Sequence, residues 1–548
     1  HLVPNFATRD ERDRLLDPLV AYGTVFEDPS LESLREGVTW GRTQFAATFY
    51  LYAVVLLPVV AATLLLGRGD VLVAFDTPAR AFGRYELWHG TPAWFWTACI
   101  FLARLTNVAF AVGCVYLTYR IGTTTRDRAT GRLAALLLTF TFGFLMLAHE
   151  AGEDVPALFF TLLAFYLALR YVETGSGRRY LAGCAAGGLA VAFKLTAAPV
   201  VVVLGIAYLL RDRSTGEGFP LPSRPWLLVS GAALGAAVVV LGFPSALVTG
   251  SFDPLVERVV GESVDRTNAP TGPDAPVWWW FLRGYLNGLG LPLFLASVGG
   301  VLAAVVGLSR RATRTAGVVL ALTAVGCYLL LFSGWHSFRV HHLLPTFPLL
   351  AVLVAVGFAR LGVERRSLAG PLLAVLLVTS GSYAVVGVAG YADQPRDEAV
   401  DWLDANAAPN ATLGVSRNDF QDAAIPHWMD VERLDAGDRP GLDAEVCPEY
   451  VQVTRRDLLN RREEFRFGYD PEYAAYLGDL LAGEYDYELV AEFGPRPPEF
   501  VPRRPTPGSL VDLLPLGVVP RVDQYGDEQE LGPNQYTAIL KRTGDCGA

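Results

Sequence analysis

Residues 368–391 read LAGPLLAVLLVTSGSYAVVGVAGY, and the chain then turns at once to ADQPRDEAVDWLDAN over 392–406. The first stretch holds no charged residue and exceeds the roughly 20 residues that an apolar helix needs to cross the hydrocarbon of a bilayer. The second is polar and acidic. This junction divides the chain into a membrane region before Tyr391 and a soluble region after it. Working back from it, apolar runs recur at roughly 343–361, 316–333, 288–308, 226–248, 196–210, 180–194, 155–171, 132–148 and 94–117, which makes ten expected spans.

Orientation follows from the arginines, because basic residues stay on the cytoplasmic side of short loops. Arg120 to Arg132, Arg170 to Arg179, Arg211 to Arg213, Arg310 to Arg314 and Arg360 to Arg366 mark five loops. With ten spans these five fall on one side, and the alternate loops face outwards: His149 to Asp154, the turn at Lys194, residues 250–285, His336 to His342, and everything beyond Tyr391. Residues 45–66 are apolar enough to cross but upset this parity. Pro58 interrupts them and Gly67 ends them, so a re-entrant or in-plane helical pair is expected there. Trp278, Trp279 and Trp280 are expected in an interfacial aromatic belt.

The organisation expected is thus an external loop over 1–43, a transmembrane helical domain over 44–391, and a soluble extracytoplasmic α/β domain over 392–548. The chain opens on His1 with polar residues, so a preceding segment carrying a first membrane helix is expected. In the last region an amphipathic helix over 397–406 and strands near 412–415, 487–493 and 536–540 alternate as in a small α/β unit. Asn410-Ala411-Thr412 is a glycosylation sequon, and Cys447 and Cys546 stand where an oxidising exterior favours a disulfide.

Acidic residues outnumber basic ones, 55 to 45, and Lys194 and Lys541 are the only lysines. That balance fits a salt-adapted archaeal protein and excludes a nucleic-acid surface, which needs a basic patch. The remaining cysteines, Cys99, Cys114, Cys184 and Cys327, lie in apolar runs without metal-ligand spacing.

Three outward segments concentrate ionisable groups beside the bilayer. They are PNFATRDERD with Asp10 and Glu11, HEAGEDVP with Glu150, Glu153 and Asp154, and HSFRVHHLLP with His336, Arg339, His341 and His342. A carboxylate can take a proton from a hydroxyl while cations hold a departing phosphate, for which the planar fork of arginine is well shaped. Lys194, in the short turn FKLTAAP, lies deep enough to demand a polar cavity or an anion. Each group also has an ordinary structural reading. The run around Asp10 suits a solvated helix face, acids before an apolar run cap a helix, and Arg339 and the histidines suit interfacial anchoring.

The ordered set resembles a known superfamily. An acidic DE pair, then Asp154-Val155-Pro156, then Lys194 to Pro199 as K-x-T-x-x-P, then Arg339 followed by Leu343-Leu344-Pro345, looks like the GT-C membrane glycosyltransferases. The nearest likeness is to the family-39 branch of dolichyl-phosphate-mannose protein mannosyltransferases and lipid A aminoarabinose transferases. The resemblance implies a polytopic α-helical membrane protein that moves a sugar, with inversion, from a polyprenyl phosphate to a glycan or protein acceptor on the external face. It implies Asp10 as catalytic base with Glu11 beside it and Asp154 in the site, and Arg42, Glu153, Lys194, Arg339, His341 and His342 as substrate-binding residues. The Pro-Pro that follows the basic residue in relatives is absent after Arg42. A divalent metal is compatible with the acids but not required. Competing readings are an oligosaccharyltransferase-like enzyme and a secondary transporter. The first lacks a WWDYG-type motif here and the second lacks an internal repeat.

Overall fold

The computed structural model describes residues 9–41, 46–76, 85–214, 224–261, 275–309, 316–335, 339–392, 394–416, 424–434, 439, 446–459, 461–463, 469–502, 508–520 and 536–544, without the side chains of Arg9, Asp10, Pro254, Arg258, Val259 and Tyr391. Arg42, His336 and Cys546 lie outside these residues.

In hydrocarbon a backbone must satisfy its own hydrogen bonds, so apolar runs become helices. Among the described residues eight helices are long and apolar enough to cross a membrane, or nine if one bent pair counts as a single span. The chain is a multi-pass membrane protein. Two expectations change. Residues Ala46–Leu65 form one helix that runs through Pro58, not a broken pair, and this helix is itself long enough to cross. Proline inside a membrane helix is tolerated because neighbouring helices absorb the freed groups. The expected span at 132–148 is the broken one: Arg128–Thr139 and Phe142–Ala148 meet at 67°. Thr141 is extended there, and its hydroxyl donates back to the Leu137 carbonyl. The expected runs at 180–194 and 226–248 give helices of 17 residues each, Gly177–Phe193 and Pro225–Leu241, the latter stopped by Gly242 ahead of Pro244. Among the described residues eight or nine helices are thus long enough by themselves, against ten expected spans.

The bundle packs through small residues, which is how membrane helices approach without a hydrophobic driving force. Ala93–Thr125 and Arg128–Thr139 touch where a Cβ on Gly122 would lie 2.8 Å from the Gly131 Cα. Trp279 and Trp280 are buried and only Trp278 is exposed, so the expected interfacial belt is mostly core. Trp279 donates its indole N–H to the Ser509 carbonyl, tying the bundle to the C-terminal region.

That region holds five strands: β1 (Thr412–Ser416), β2 (Asp430–Leu434), β3 (Tyr450–Thr454), β4 (Tyr487–Phe493) and β5 (Thr537–Arg542). Their order is β2-β1-β3-β5-β4, parallel through β2, β1 and β3 and antiparallel at β5 and β4. Side chains alternate across a strand, so the sheet buries two different faces. Leu413, Val415 and Ile539 pack with Ala399 and Leu403 of the Pro395–Asn406 helix, in one core with Phe75, Trp88 and Trp96 of the membrane region. Val451, Val453, Ala538 and Leu540 pack with Tyr473, Tyr476 and Leu477 of the Pro471–Ala482 helix. His427 donates its Nε2 N–H to the carbonyls of Trp88 and Thr91, 2.9 and 2.7 Å away, and so fastens the sheet domain to the bundle. Cys447 is disulfide-bonded.

Candidate functional site

Residues 149–153 join the Phe142–Ala148 helix to Asp154–Thr174, and Ala151 and Glu153 within them are buried. A buried loop has backbone groups that need partners. Asn107, inside the Ala93–Thr125 helix, donates to the carbonyls of Glu150 and Gly152 at 2.5 and 3.0 Å. Tyr52 of Ala46–Leu65 donates to Asn107 Oδ1 and to the Gly152 carbonyl at 3.3 and 3.4 Å. The Ala151 N–H donates to Glu11 Oε1 at 2.9 Å. Three separate helices thus hold the loop by its main chain.

Around that loop the charges interlock. Arg104 makes a two-pronged contact with Glu11, Nε and Nη2 each 2.8 Å from a carboxylate oxygen. Arg14, one turn after Glu11 on the Arg9–Glu27 helix, donates to Glu153. Lys194 Nζ lies 2.5 Å from Asp154 Oδ1. Burial alone would raise the Glu153 carboxyl, but Arg14 first and Lys194 next hold it down to about 2.

Local sequence explains the last pair. Asp154 opens its helix, where a negative charge meets the positive end of the helix dipole. Lys194 caps the C-terminus of Gly177–Phe193, where a positive charge is favoured. The Lys194 backbone is extended, and a single 3-10 turn, Leu195–Ala197, leads to Pro199 at the head of the next helix. The K-x-T-x-x-P spacing is therefore a sharp turn that aims lysine at the neighbouring helix start.

Exposure separates the roles open to these groups. The Glu11 side chain is 0% exposed, whereas Asp154 keeps 19% and Lys194 15%. Glu11 is saturated by Arg104 and Ala151 and holds the first turn of its helix against the loop. Asp154 and Lys194 can still meet a ligand. Asp10 is the second residue of that same helix, next to Glu11 in sequence, with its side chain outside the described set.

Arg339, His341 and His342 form a neighbouring corner. The Arg339 N–H donates to His342 Nδ1 at 2.9 Å, and the His342 ring meets Phe332 and Trp335 edge-on. The corner reaches the acid loop through the Phe142–Ala148 helix: Val340 packs on Gly143, and Leu344–Thr346 touches the Asp154–Thr174 helix. Glu153 and Asp154 each face a cation, and among the described residues no three His, Cys, Asp or Glu side chains are grouped as metal ligands.

The sequence reading passed over Tyr52, Arg14, Arg104 and Asn107. A signal for two of them was there. Arg104 and Asn107 stand three apart within an apolar run, and a charged or amide side chain in a span turns to the bundle interior and a partner.

Residues 96–243, which include Arg104, Asn107, the acid loop and the Lys194 turn, match the family model of dolichyl-phosphate-mannose-protein mannosyltransferases. No curated protein matches the chain. Among solved structures the chain is similar to ArnT from Cupriavidus metallidurans bound to undecaprenyl phosphate, at 14% identity over 77% of this chain and 84% of that one, with a TM-score of 0.47. It is also similar to the archaeal oligosaccharyltransferase AglB from Archaeoglobus fulgidus, in complex with an inhibitory peptide and a dolichol-phosphate, at 12% identity over 97% and 84%, with a TM-score of 0.46.

Proposed function

We propose that the chain is a membrane glycosyltransferase of the GT-C superfamily and that it moves a hexose from a polyprenyl (dolichyl) phosphate to a hydroxyl-bearing glycan or protein on the external face of the cell membrane, with inversion at the anomeric carbon. Asp10 takes the proton of the acceptor hydroxyl. The acceptor oxygen bonds to the anomeric carbon from the side opposite the phosphate, the bond from that carbon to the phosphate oxygen breaks, and the phosphate leaves with the electron pair. Lys194, with Arg339 and Arg42 from neighbouring loops, receives the charge of the departing phosphate, and His341 and His342 complete the corner around it. Asp154 holds Lys194 in place, and Glu153 holds Arg14.

One observation supports this reading: Glu11 is anchored to Ala151 and Arg104, which holds the start of its helix against the loop that leads into Asp154, the partner of Lys194. A general base close to a phosphate-binding cation is what sugar transfer from a lipid phosphate demands.

The test is transfer by the purified chain from polyprenyl-phosphate-linked sugars, beside mass spectrometry of surface glycans in a deletion strain. Asp10→Asn should lose transfer by a factor on the order of 10² to 10⁴, the worth of a general base, with an unchanged melting temperature. The deletion strain should lack one sugar, restored by wild type alone. Full complementation by Asp10→Asn would remove Asp10 from the chemistry.

A further inference from the structure

The bundle has a second charged end. Along Ala93–Thr125 and its cap Arg126, the 19 steps from Asn107 to Arg126 rise about 28 Å at 1.5 Å per residue, close to the thickness of the hydrocarbon. Arg126 and Arg360 therefore stand at the membrane face opposite the acid loop. Arg126 Nη2 is 3.5 Å from the Ala359 carbonyl, and Arg360 Nη1 is 3.2 Å from the Ala303 carbonyl, so the two guanidinia share one helix end and repel each other. Nε and Nη2 of Arg360 are buried and meet no acceptor among the described residues. Asp127 answers Arg126 at 3.4 Å and Glu364 is within reach of Arg360, while Arg365 and Arg366 follow at the same end, which leaves cations in excess.

Beside Arg360 a groove of about 500 Å³ runs between Leu291–Ser309, Phe347–Glu364 and Arg366–Ala392. Its lining is wholly apolar, and it includes Ala303, whose carbonyl Arg360 contacts. Glycine builds it: Gly300 lets the first two helices touch, since a Cβ there would meet the Val354 nitrogen at 3.0 Å, whereas Gly299 faces open space.

We propose that this groove and the Arg126–Arg360 pair hold one phosphate-bearing bilayer lipid, with a tail in the groove and its phosphate on Arg360, in the leaflet opposite the acid loop. An uncharged tail fits the lining, and an anionic headgroup answers the cationic excess at its end. The charge decides the occupant. A zwitterionic lipid brings its own cation to a site already in cationic excess, and a second copy of this chain would bring only another apolar face.

The site is tested by native mass spectrometry of the full chain in detergent, titrated with phosphatidylglycerol and phosphatidylcholine of identical acyl chains. The wild-type chain should prefer the anionic lipid. Arg360→Gln should lower that preference about fivefold, the worth of one cation near an anionic headgroup, and Gly299→Trp should weaken both lipids. Arg170→Gln, a cation at the same membrane face outside the groove, should leave the preference unchanged. Elution volume and melting temperature check that each variant is folded. Equal binding of the two lipids, an Arg360→Gln ratio like wild type, or a Gly299→Trp chain that keeps its lipid but loses a dimer would each overturn the assignment.

Discussion

At the acid-loop end of the bundle, Arg14, Arg104 and Lys194 each meet a carboxylate, and the arginine guanidinium of Arg14 is nearly dry. At the opposite end, Arg170 meets Glu173 at 2.6 Å with both side chains more than a third exposed, and Arg360 lies on a backbone carbonyl. Both ends carry charge, but only the first takes paired charge out of water. A buried ion pair is weak evidence for stability, because desolvation offsets most of the attraction, yet removing one partner is costly. Such pairs are the expected mark of a functional end, where position matters more than stability.

The largest effect expected from this contrast falls on turnover, through Asp10→Asn as described above. Next comes the cost of breaking a buried pair. Glu11→Ala or Arg14→Ala should destabilise the chain by about 3–5 kcal/mol, read as a lowered melting temperature in detergent. Replacing both partners of the Arg14–Glu153 pair with apolar residues of like size should recover much of that loss while transfer stays impaired. If the single variants melt like wild type, the ion pairs do not hold the loop.

Acid should act through Glu153 in the same sense. Its carboxyl is held at about 2, below the ordinary glutamate value of 4.5, so its contribution is complete above pH 4.5 and is lost as pH falls towards 2. Melting curves between pH 7 and pH 3 should show this loss, and Arg14→Met, which removes the main cause, should flatten the profile. The smallest effect is expected at the other end. Arg170→Gln should change stability by no more than about 0.5 kcal/mol, since exposed pairs contribute little.

Much of the membrane fold was legible because it depends on composition over some twenty residues. The runs at 316–333 and 368–391 become helices near their expected bounds, and the run at 94–117 continues eight residues further, to Thr125. The break was misplaced because Pro58 is a local signal that packing overrides, while the bend at Phe140 and Thr141 has no comparable mark in sequence. In the soluble region β1, β4, β5 and the helix before β1 were readable from alternation and periodicity. β2 and β3 were not read; β2 is an edge strand with polar Asp430, Glu432 and Arg433, and β3 takes β5, more than 80 residues on, as one of its partners.

The sequence by itself determined that apolar runs would span a bilayer, that acids and cations would gather in a few loops, and that their order would resemble one superfamily. Each of these is a property of neighbouring residues. Only the tertiary structure decided which charge meets which. Arg104 answers Glu11 across 93 positions and Arg14 answers Glu153 across 139. Sequence spacing is silent on such pairs, because their geometry is set by how helices pack against one another.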